Sequence, residues 1–399
     1  MEFTKKQTYI SLLQLIDSID YKVLILLSPI SFVLGNWKIG SAIFILITIL
    51  FFFEFLYNGY PLKIHFKFQT FFLLFFGLLT VFNTDSLKTG LEYYIGIVFT
   101  PICIFQIIMN SENDIIFFTR LINSMIFSGV ILGFASLYYA VFTVGSFELR
   151  LPSLWSDFNI VAAYFMVLAL FNFTFLIYTK NRGLKLIYLG SLMIILFGMF
   201  LTQTRGVWLA TVASFLVYVL RRPKAILPTI FAFGIFFVAF FSTIQQRYLT
   251  LANFSTDGSS LGRIQAWIAS VLIIKDNFLW GTGYDSFLKF RDNVLYFYIV
   301  PVEHSHNTYL RIWLEMGFFG FIGYFAFFIM ALFYTFRLSK LYKNDKETMP
   351  IIDGLQLSFV GLSIAFVFDV YFSLLGTSVL IIWILISIAF KLKQKKNSI

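Results

Sequence analysis

The run GSAIFILITILFFFEFLY, residues 40–57, decides the fold. It holds one acid in an apolar stretch long enough to cross a hydrocarbon core of about 30 Å. A second run, LLGTSVLIIWILISIAF at 374–390, holds no charge at all. Around these two, apolar windows predict further spans near 21–35, 69–83, 91–109, 121–143, 158–179, 186–203, 206–220, 225–242, 307–336 and 351–371. The expected fold is all-α and integral to the membrane, with about 12 transmembrane helices. Neither internal repeat nor low-complexity linker interrupts it, so residues 1–399 read as a single polytopic membrane domain.

Composition agrees. Of 399 residues, 59% are hydrophobic and only 13% charged, against about 25% charged in an ordinary soluble domain. A soluble protein so composed would expose large sticky surfaces, so membrane lipid is the expected solvent. The 54 Phe are read as lipid-facing bulk. The net charge of +10 would suggest nucleic acid in a soluble chain. Here the basic residues sit in short loops between apolar runs, and no nucleic-acid partner is expected. Twenty of the 30 Lys and Arg fall in the segments that one face of this topology shares with both ends of the chain. The positive-inside rule then puts both termini in the cytoplasm. Residues 1–22 are polar, without an apolar core and cleavage site, so the first span is expected to stay as an anchor. The single cysteine, Cys103, permits no internal disulfide.

Two segments on the opposite face carry content. One is the loop 144–157, with Arg150 and Trp155. The other, 243–306, lies between predicted spans 9 and 10 and contains Arg247 and Arg291. It is too rich in Trp, Leu, Ile and Tyr for disorder, and Leu261–Lys275 reads as an amphipathic helix within it. Loops of this length in compact proteins are usually functional.

Three short stretches could carry chemistry, all on that outer face. Thr202-Gln203-Thr204-Arg205 sets an arginine between two spans among hydrogen-bonding neighbours. Snorkelling to the headgroups would explain the charge alone; a guanidinium among such neighbours also suits an anion held at the membrane surface. Arg263 opens the helix of the long loop, where a merely solvated charge is the plain reading. Finally, Glu303-His304-Ser305-His306-Asn307 brings two of the three histidines to the mouth of a span. Histidine takes a proton at neutral pH without a large pKa shift. An idle loop pair, or a metal pair, are the alternatives. Metal is not expected, because no third His or Cys and no Asp-x-Asp pair accompanies them.

Together these stretches resemble the O-antigen ligase and O-antigen polymerase superfamily. His306-Asn307, nine residues, then Gly317-Phe318-Phe319-Gly320 is similar to the ligase-type pattern. Its glycines are expected to permit close helix approach about three turns below the histidine. Arg205 with Leu209 matches the family's arginine at the start of a span. Arg263, in Gly-Arg-x-x-x-Trp followed by Asp276-Asn277-Phe278-Leu279-Trp280-Gly281-x-Gly283, matches its periplasmic-loop arginine; Phe278 stands where the family often has Pro.

The resemblance implies a GT-C-like glycosyltransferase of the bacterial inner membrane, with its active site on the periplasmic face. The donor would be a glycan on undecaprenyl pyrophosphate. The acceptor would be a sugar hydroxyl of lipid A–core for a ligase, or a second lipid-linked glycan for a polymerase. No cofactor is implied. Arg205 and Arg263 would stabilise the leaving pyrophosphate without metal. His306 would be the general base of an inverting attack, with Glu303 orienting it or serving as base itself. Asn307, His304, Arg150, Arg247 and Arg291 are secondary candidates. Trp267, Trp280 and Tyr284 could stack on sugar, although loop packing explains them as well. A flippase or secondary transporter is the competing class. It would place its polar groups near the midplane, where Glu54 and Asp369 are the main candidates.

Overall fold

The structure is a computed structural model that describes residues 37–57, 63–111, 114–144, 157–222, 258–294, 302–371 and 377–397, with a few isolated positions before residue 60. Helix is the only regular structure among the described residues. The first group comprises α1 (Trp37–Tyr57), α2 (Lys67–Phe82), α3 (Leu87–Asn110, with a π-helical turn at Ile95–Phe99) and α4 (Ile115–Tyr139). Next come α5 (Phe158–Tyr178), α6 (Arg182–Leu201) and α7 (Arg205–Arg221). Two helices follow in the long segment, α8 (Gly258–Asp276) and α9 (Phe287–Val294). The last are α10 (Thr308–Leu341), α11 (Met349–Phe368) and α12 (Thr377–Asn397).

Six of these segments are long and apolar enough to cross a membrane: Leu87–Asn110, Ile115–Phe142, α5, α6, α10 and α11. They fall within a few residues of the spans expected from sequence. Helices also occupy the expected positions at 40–57, 69–83, 206–220 and 374–390. The expected spans at 21–35 and 225–242 lie outside the described helices, as do Arg150, Trp155 and Arg247. The helix expected at 261–275 is α8, three residues longer at its start.

Local chemistry explains where several helices begin. Asp114, Asp157, Asn181 and Asn307 each turn a side-chain oxygen to a backbone N–H of the first turn, satisfying a donor that the helix itself leaves orphaned. Burial then sorts them. α5 is buried on every face from Val161 to Phe175 and packs against α6, α7 and α11. By contrast, α2 exposes Phe68, Phe71, Phe75 and Phe82, a surface that water would penalise and lipid would not.

The Gly-x-x-Gly of α10 does not do what the sequence suggested. Gly317 breaks the helix, at φ 67 and ψ −175. A Cβ there would lie 2.3 Å from the Leu279 carbonyl oxygen, and one on Gly281 would lie 2.4 Å from the Gly317 nitrogen. A loop, and no second helix, makes the close approach. The kink bares the carbonyls of Leu314 and Glu315, which accept from the N–H groups of Thr282 (2.8 Å) and Gly283 (3.1 Å). In return, the Phe318 N–H donates to the Phe278 carbonyl at 2.9 Å. Gly320 faces Met316 of its own helix. The turn 277–283 is thereby threaded into the break in α10, fixing the long segment to the bundle.

Candidate functional site

All three stretches meet at one end of the bundle, around the C-terminus of α11. Asn307 caps α10 through the Leu310 N–H (3.0 Å), while its Nδ2 donates to the Val367 carbonyl (3.1 Å). Thr308 adds a hydroxyl donated to the Asp369 carbonyl at 2.7 Å. These bonds hold His306 in a left-handed conformation, φ 44, which non-glycine residues seldom adopt and which costs about 1–3 kcal/mol. Gln203 (φ 51) and Asp285 (φ 54) share that rare conformation at the same end. Such strain is characteristic of sites whose surroundings over-determine the backbone.

The imidazole of His306 lies beside Asp369, with Nδ1 3.5 Å from Oδ1. That is the long edge of a hydrogen bond, of the kind that tightens once substrate is bound. The carboxylate is itself held from two sides, by the Val370 N–H (2.7 Å) and by Asn159 Nδ2. Asn159 passes the chain on, because its Oδ1 accepts from the Thr204 hydroxyl at 3.3 Å. A continuous polar line therefore runs from Thr204, next to Arg205, through Asn159 and Asp369 to His306. Burial alone would raise the Asp369 carboxyl. The hydrogen bond and charge of His306, the charge of His304 and the Val370 N–H outweigh it and hold the group below its ordinary value.

The backbone beside Arg205 and the side chain of Arg263 reach the same corner. Gly206, which follows Arg205, packs on Phe368 so closely that a Cβ would sit 2.7 Å from that side chain. Arg263 donates its Nε to the Phe368 carbonyl at 3.1 Å. One turn further along α8, Trp267 donates its indole N–H to the His306 carbonyl at 3.2 Å. The i, i+4 spacing puts Arg263 and Trp267 on one face of α8, turned to the Phe368–His306 corner.

Glu303 is exposed; the carboxylate that stands beside the imidazole is Asp369. Asp369, a midplane candidate under the transporter alternative, caps the end of α11. Asn159 was not anticipated at all. Tyr284 is buried, donates its hydroxyl to the Gly77 carbonyl (3.0 Å) and stacks on Tyr93, so it packs the loop and offers sugar no face. Trp267 is committed to the His306 carbonyl, and Trp280 lies against Phe76 and Phe319. Arg291 binds the Val302 carbonyl and Asp292, bracing the segment that leads to Glu303.

His304 lies against His306 with ring centroids 3.9 Å apart and the ring planes tilted by 46°. Burial first, then the neighbouring His306, push its pKa down to about 4. His304, His306 and Asp369 each offer one ligand atom within 4.8 Å of the others. The third ligand that sequence reading found lacking is thus Asp369. Yet His304 Nδ1 already accepts the His306 N–H at 3.2 Å. A neutral ring in that arrangement carries its proton on Nε2, the only atom left for a metal. The set fits an acid–base site better than a cation cage.

Residues 190–325 match the family model described as O-antigen ligase. Over this segment, about a third of the chain, the sequence is similar to the O-antigen ligase family. The O-antigen ligase match runs from within α6 to within α10 and includes Arg205, Arg263 and His306, while Asn159 and Asp369 lie outside it. No curated protein matches the chain.

Proposed function

We propose that the chain is a membrane glycosyltransferase of the ligase type. It would move a glycan from undecaprenyl pyrophosphate to a sugar hydroxyl of lipid A–core, at the periplasmic face of the bacterial inner membrane. The carrying observation is the meeting of three separate stretches at the Phe368–Asp369 corner: the backbone beside Arg205, the Arg263 side chain and His306. Those residues suit the chemistry. A polyprenyl pyrophosphate is a good leaving group that needs its developing charge stabilised, and two fixed guanidinium groups supply that without metal.

His306 is the general base in this reading. With Asp369 facing Nδ1, the proton of the neutral ring belongs there and the Nε2 lone pair is left to take the proton of the acceptor hydroxyl. That hydroxyl attacks the anomeric carbon as the carbon–oxygen bond to pyrophosphate breaks, with inversion. Asp369 steadies the imidazolium that forms. The GT-C-like architecture, about 12 spans with both termini cytoplasmic, and a periplasmic segment 243–306 complete the proposal.

Transfer by the purified protein tests it, with undecaprenyl-pyrophosphate glycan as donor, lipid A–core as acceptor and EDTA present. Product from wild type and none from His306→Ala is the expected result. Growth of glycan between donor molecules, with none on core, would move the assignment to a polymerase. Loss of wild-type product on adding EDTA would overturn the metal-free mechanism. No new glycosidic bond under any condition would favour a transporter.

A further inference from the structure

Asn159 has no part in the mechanism above, yet its side chain touches both halves of the site. It is the second residue of α5, 7% exposed among Phe158, Ile160 and Val161. Its backbone N–H is held by Asp157 Oδ1 at 2.8 Å, which fixes the first turn of the helix. The amide then reaches two other helix ends. Nδ2 donates to Asp369 Oδ2 beyond α11, and Oδ1 accepts the Thr204 hydroxyl before α7 at 3.3 Å.

Chemistry fixes which way round the amide lies. An ionised carboxylate only accepts, so the NH₂ group must face Asp369 and the carbonyl must face Thr204. A carboxylate in its place would accept at both ends, and an aliphatic chain would bond at neither. The two oxygens of Asp369 thereby have separate partners. Oδ1 takes the Val370 N–H at 2.7 Å and faces His306 Nδ1, while Oδ2 is taken by Asn159. Held by one oxygen alone, the carboxylate could turn about its Cβ–Cγ bond. Held by both, it keeps Oδ1 aimed at the imidazole.

Thr204 is used unusually as well. It stands at the N-cap of α7, where a threonine hydroxyl ordinarily accepts a backbone N–H, but its side chain makes no such bond. The hydroxyl lies between two acceptors, Asn159 Oδ1 at 3.3 Å and the Thr202 carbonyl at 3.4 Å. Left-handed Gln203 precedes it, and left-handed His306 stands at the other end of the same polar line.

We propose that Asn159 is a positioning residue for the base. It holds the Asp369 carboxylate in the rotation that keeps the His306 proton on Nδ1, and through Thr204 it ties that rotation to the turn carrying Arg205. The inference rests on the transferase reading, in which Nε2 must stay unprotonated to receive the proton of the acceptor hydroxyl. An amide with a merely structural role would cost stability when removed and leave the tautomer of the ring as it was. His304, Arg263, Arg311, Asp157 and Tyr371 are the other titratable or charged groups that act on this corner. They are the same in every variant below, so a change in the ring is assigned to position 159 or 204.

Nitrogen NMR of isotope-labelled histidine, on the full chain in nanodiscs, reads the ring directly. The chain has three histidines, and the signal lost in His306→Gln identifies the one required. Wild type should show Nδ1 protonated. Asn159→Leu, similar in shape but without either polar atom, should shift the neutral ring towards Nε2–H. It should also lower kcat for transfer about tenfold, the worth of one hydrogen bond, with KM for the acceptor little changed. Asn159→Asp should be rescued by acid. Two carboxyls in one site share a proton, and the introduced carboxyl then donates to Asp369 as the amide does. As pH rises that proton leaves, so kcat relative to wild type at the same pH should fall. Thr204→Val should act in the direction of Asn159→Leu and add little to it, whereas Thr204→Ser should match wild type. All rates are taken per folded protein. Should Asn159→Leu fail to fold, the acid rescue of Asn159→Asp and the ring of Thr204→Val decide alone. A ring still protonated on Nδ1 in Asn159→Leu, a rate ratio for Asn159→Asp that is constant with pH, or additive losses in the double variant would each overturn the positioning role. A shifted tautomer in Asn159→Leu with no product from wild type would strike the transferase reading instead, and leave the linkage of Asn159 to His306 standing.

Discussion

Helix α11 carries an aspartate at each end, and the two are treated in opposite ways. Near its start, Asp353 has both oxygens engaged: Arg222 Nε stands 3.0 Å away, Arg222 Nη2 3.3 Å, and the Tyr178 hydroxyl donates at 2.7 Å. Arg221 beside it bonds Gln356 and Ser339 and lies over the Phe336 ring. At the far end, Asp369 faces a histidine at a distance just too long for a firm bond, and His306 Nδ1 has no other partner. Among the described residues, left-handed His306 and Gln203 stand around Asp369, and no partner of Asp353 named above shares that conformation. A buried charge needs partners wherever it lies. One end of α11 completes the set and stays fixed, while the other stops short of completion and keeps a strained base beside it. A close pair gives a bundle its register; an unfinished one leaves a place for a reacting group.

Replacing the base should produce the largest effect. His306→Ala is expected to lower the transfer rate about a thousandfold and leave the melting temperature in detergent almost unchanged. A variant that loses its fold in place of its rate would make the Asp369 end structural too. Asp353→Ala should behave in the opposite way. It strands the buried edge of Arg222, costing about 3 kcal/mol of stability, while the protein that remains folded transfers at the wild-type rate. Asp369→Asn comes next, at about a hundredfold in rate with KM for the acceptor little altered, because it removes the charge that steadies the imidazolium. Should Asp353→Asn slow the chemistry as much, the contrast between the two ends would collapse.

Much of this was legible in the chain, and the reason is periodicity. Runs such as 158–179 and 351–371 have one reading because a membrane helix must satisfy its own backbone. Arg205 and His306 were legible as residues of unusual chemistry at span ends, and Arg263 stood out only through the resemblance. What stayed hidden was partnership across distance. Asp369 is separated from His306 by a whole helical hairpin, and Asn159 lies further off still, so nothing local pairs them. A signal for Asp369 existed in its position just past an apolar run, where a cap is as natural as a midplane charge. Glu315 also left a trace, four residues after Arg311 on one helix, the spacing of an ion pair. Gly317 misled because its spacing from Gly320 imitates helix packing, and only a backbone φ of 67° reveals the break.

That break sharpens the comparison, since it ties the loop to the strained end only. Gly317→Ala must put a Cβ 2.3 Å from the Leu279 oxygen in a conformation alanine resists, costing about 1–3 kcal/mol. Proteolysis near residues 277–283 should rise, and transfer should fall as α8 loosens and takes Arg263 and Trp267 from the corner. Resistance to cleavage equal to wild type would show that the turn is held by other means.

The smallest effect concerns pH. His304 has an ordinary value of 6.5 and is held at about 4 in the folded protein, by burial first and by His306 second. The unfolded chain therefore binds a proton between those values that the folded chain refuses. Stability from this residue is complete above pH 6.5 and declines as pH falls towards 4. His304→Asn keeps an acceptor for the His306 N–H and removes the titration. Its melting temperature should fall less than wild type's between pH 6.5 and 4.5, while the two agree in their pH dependence above 7. Parallel curves across the whole range would mean that His304 takes up its proton without disturbing the site, and that the pH dependence of this end of α11 comes from other groups.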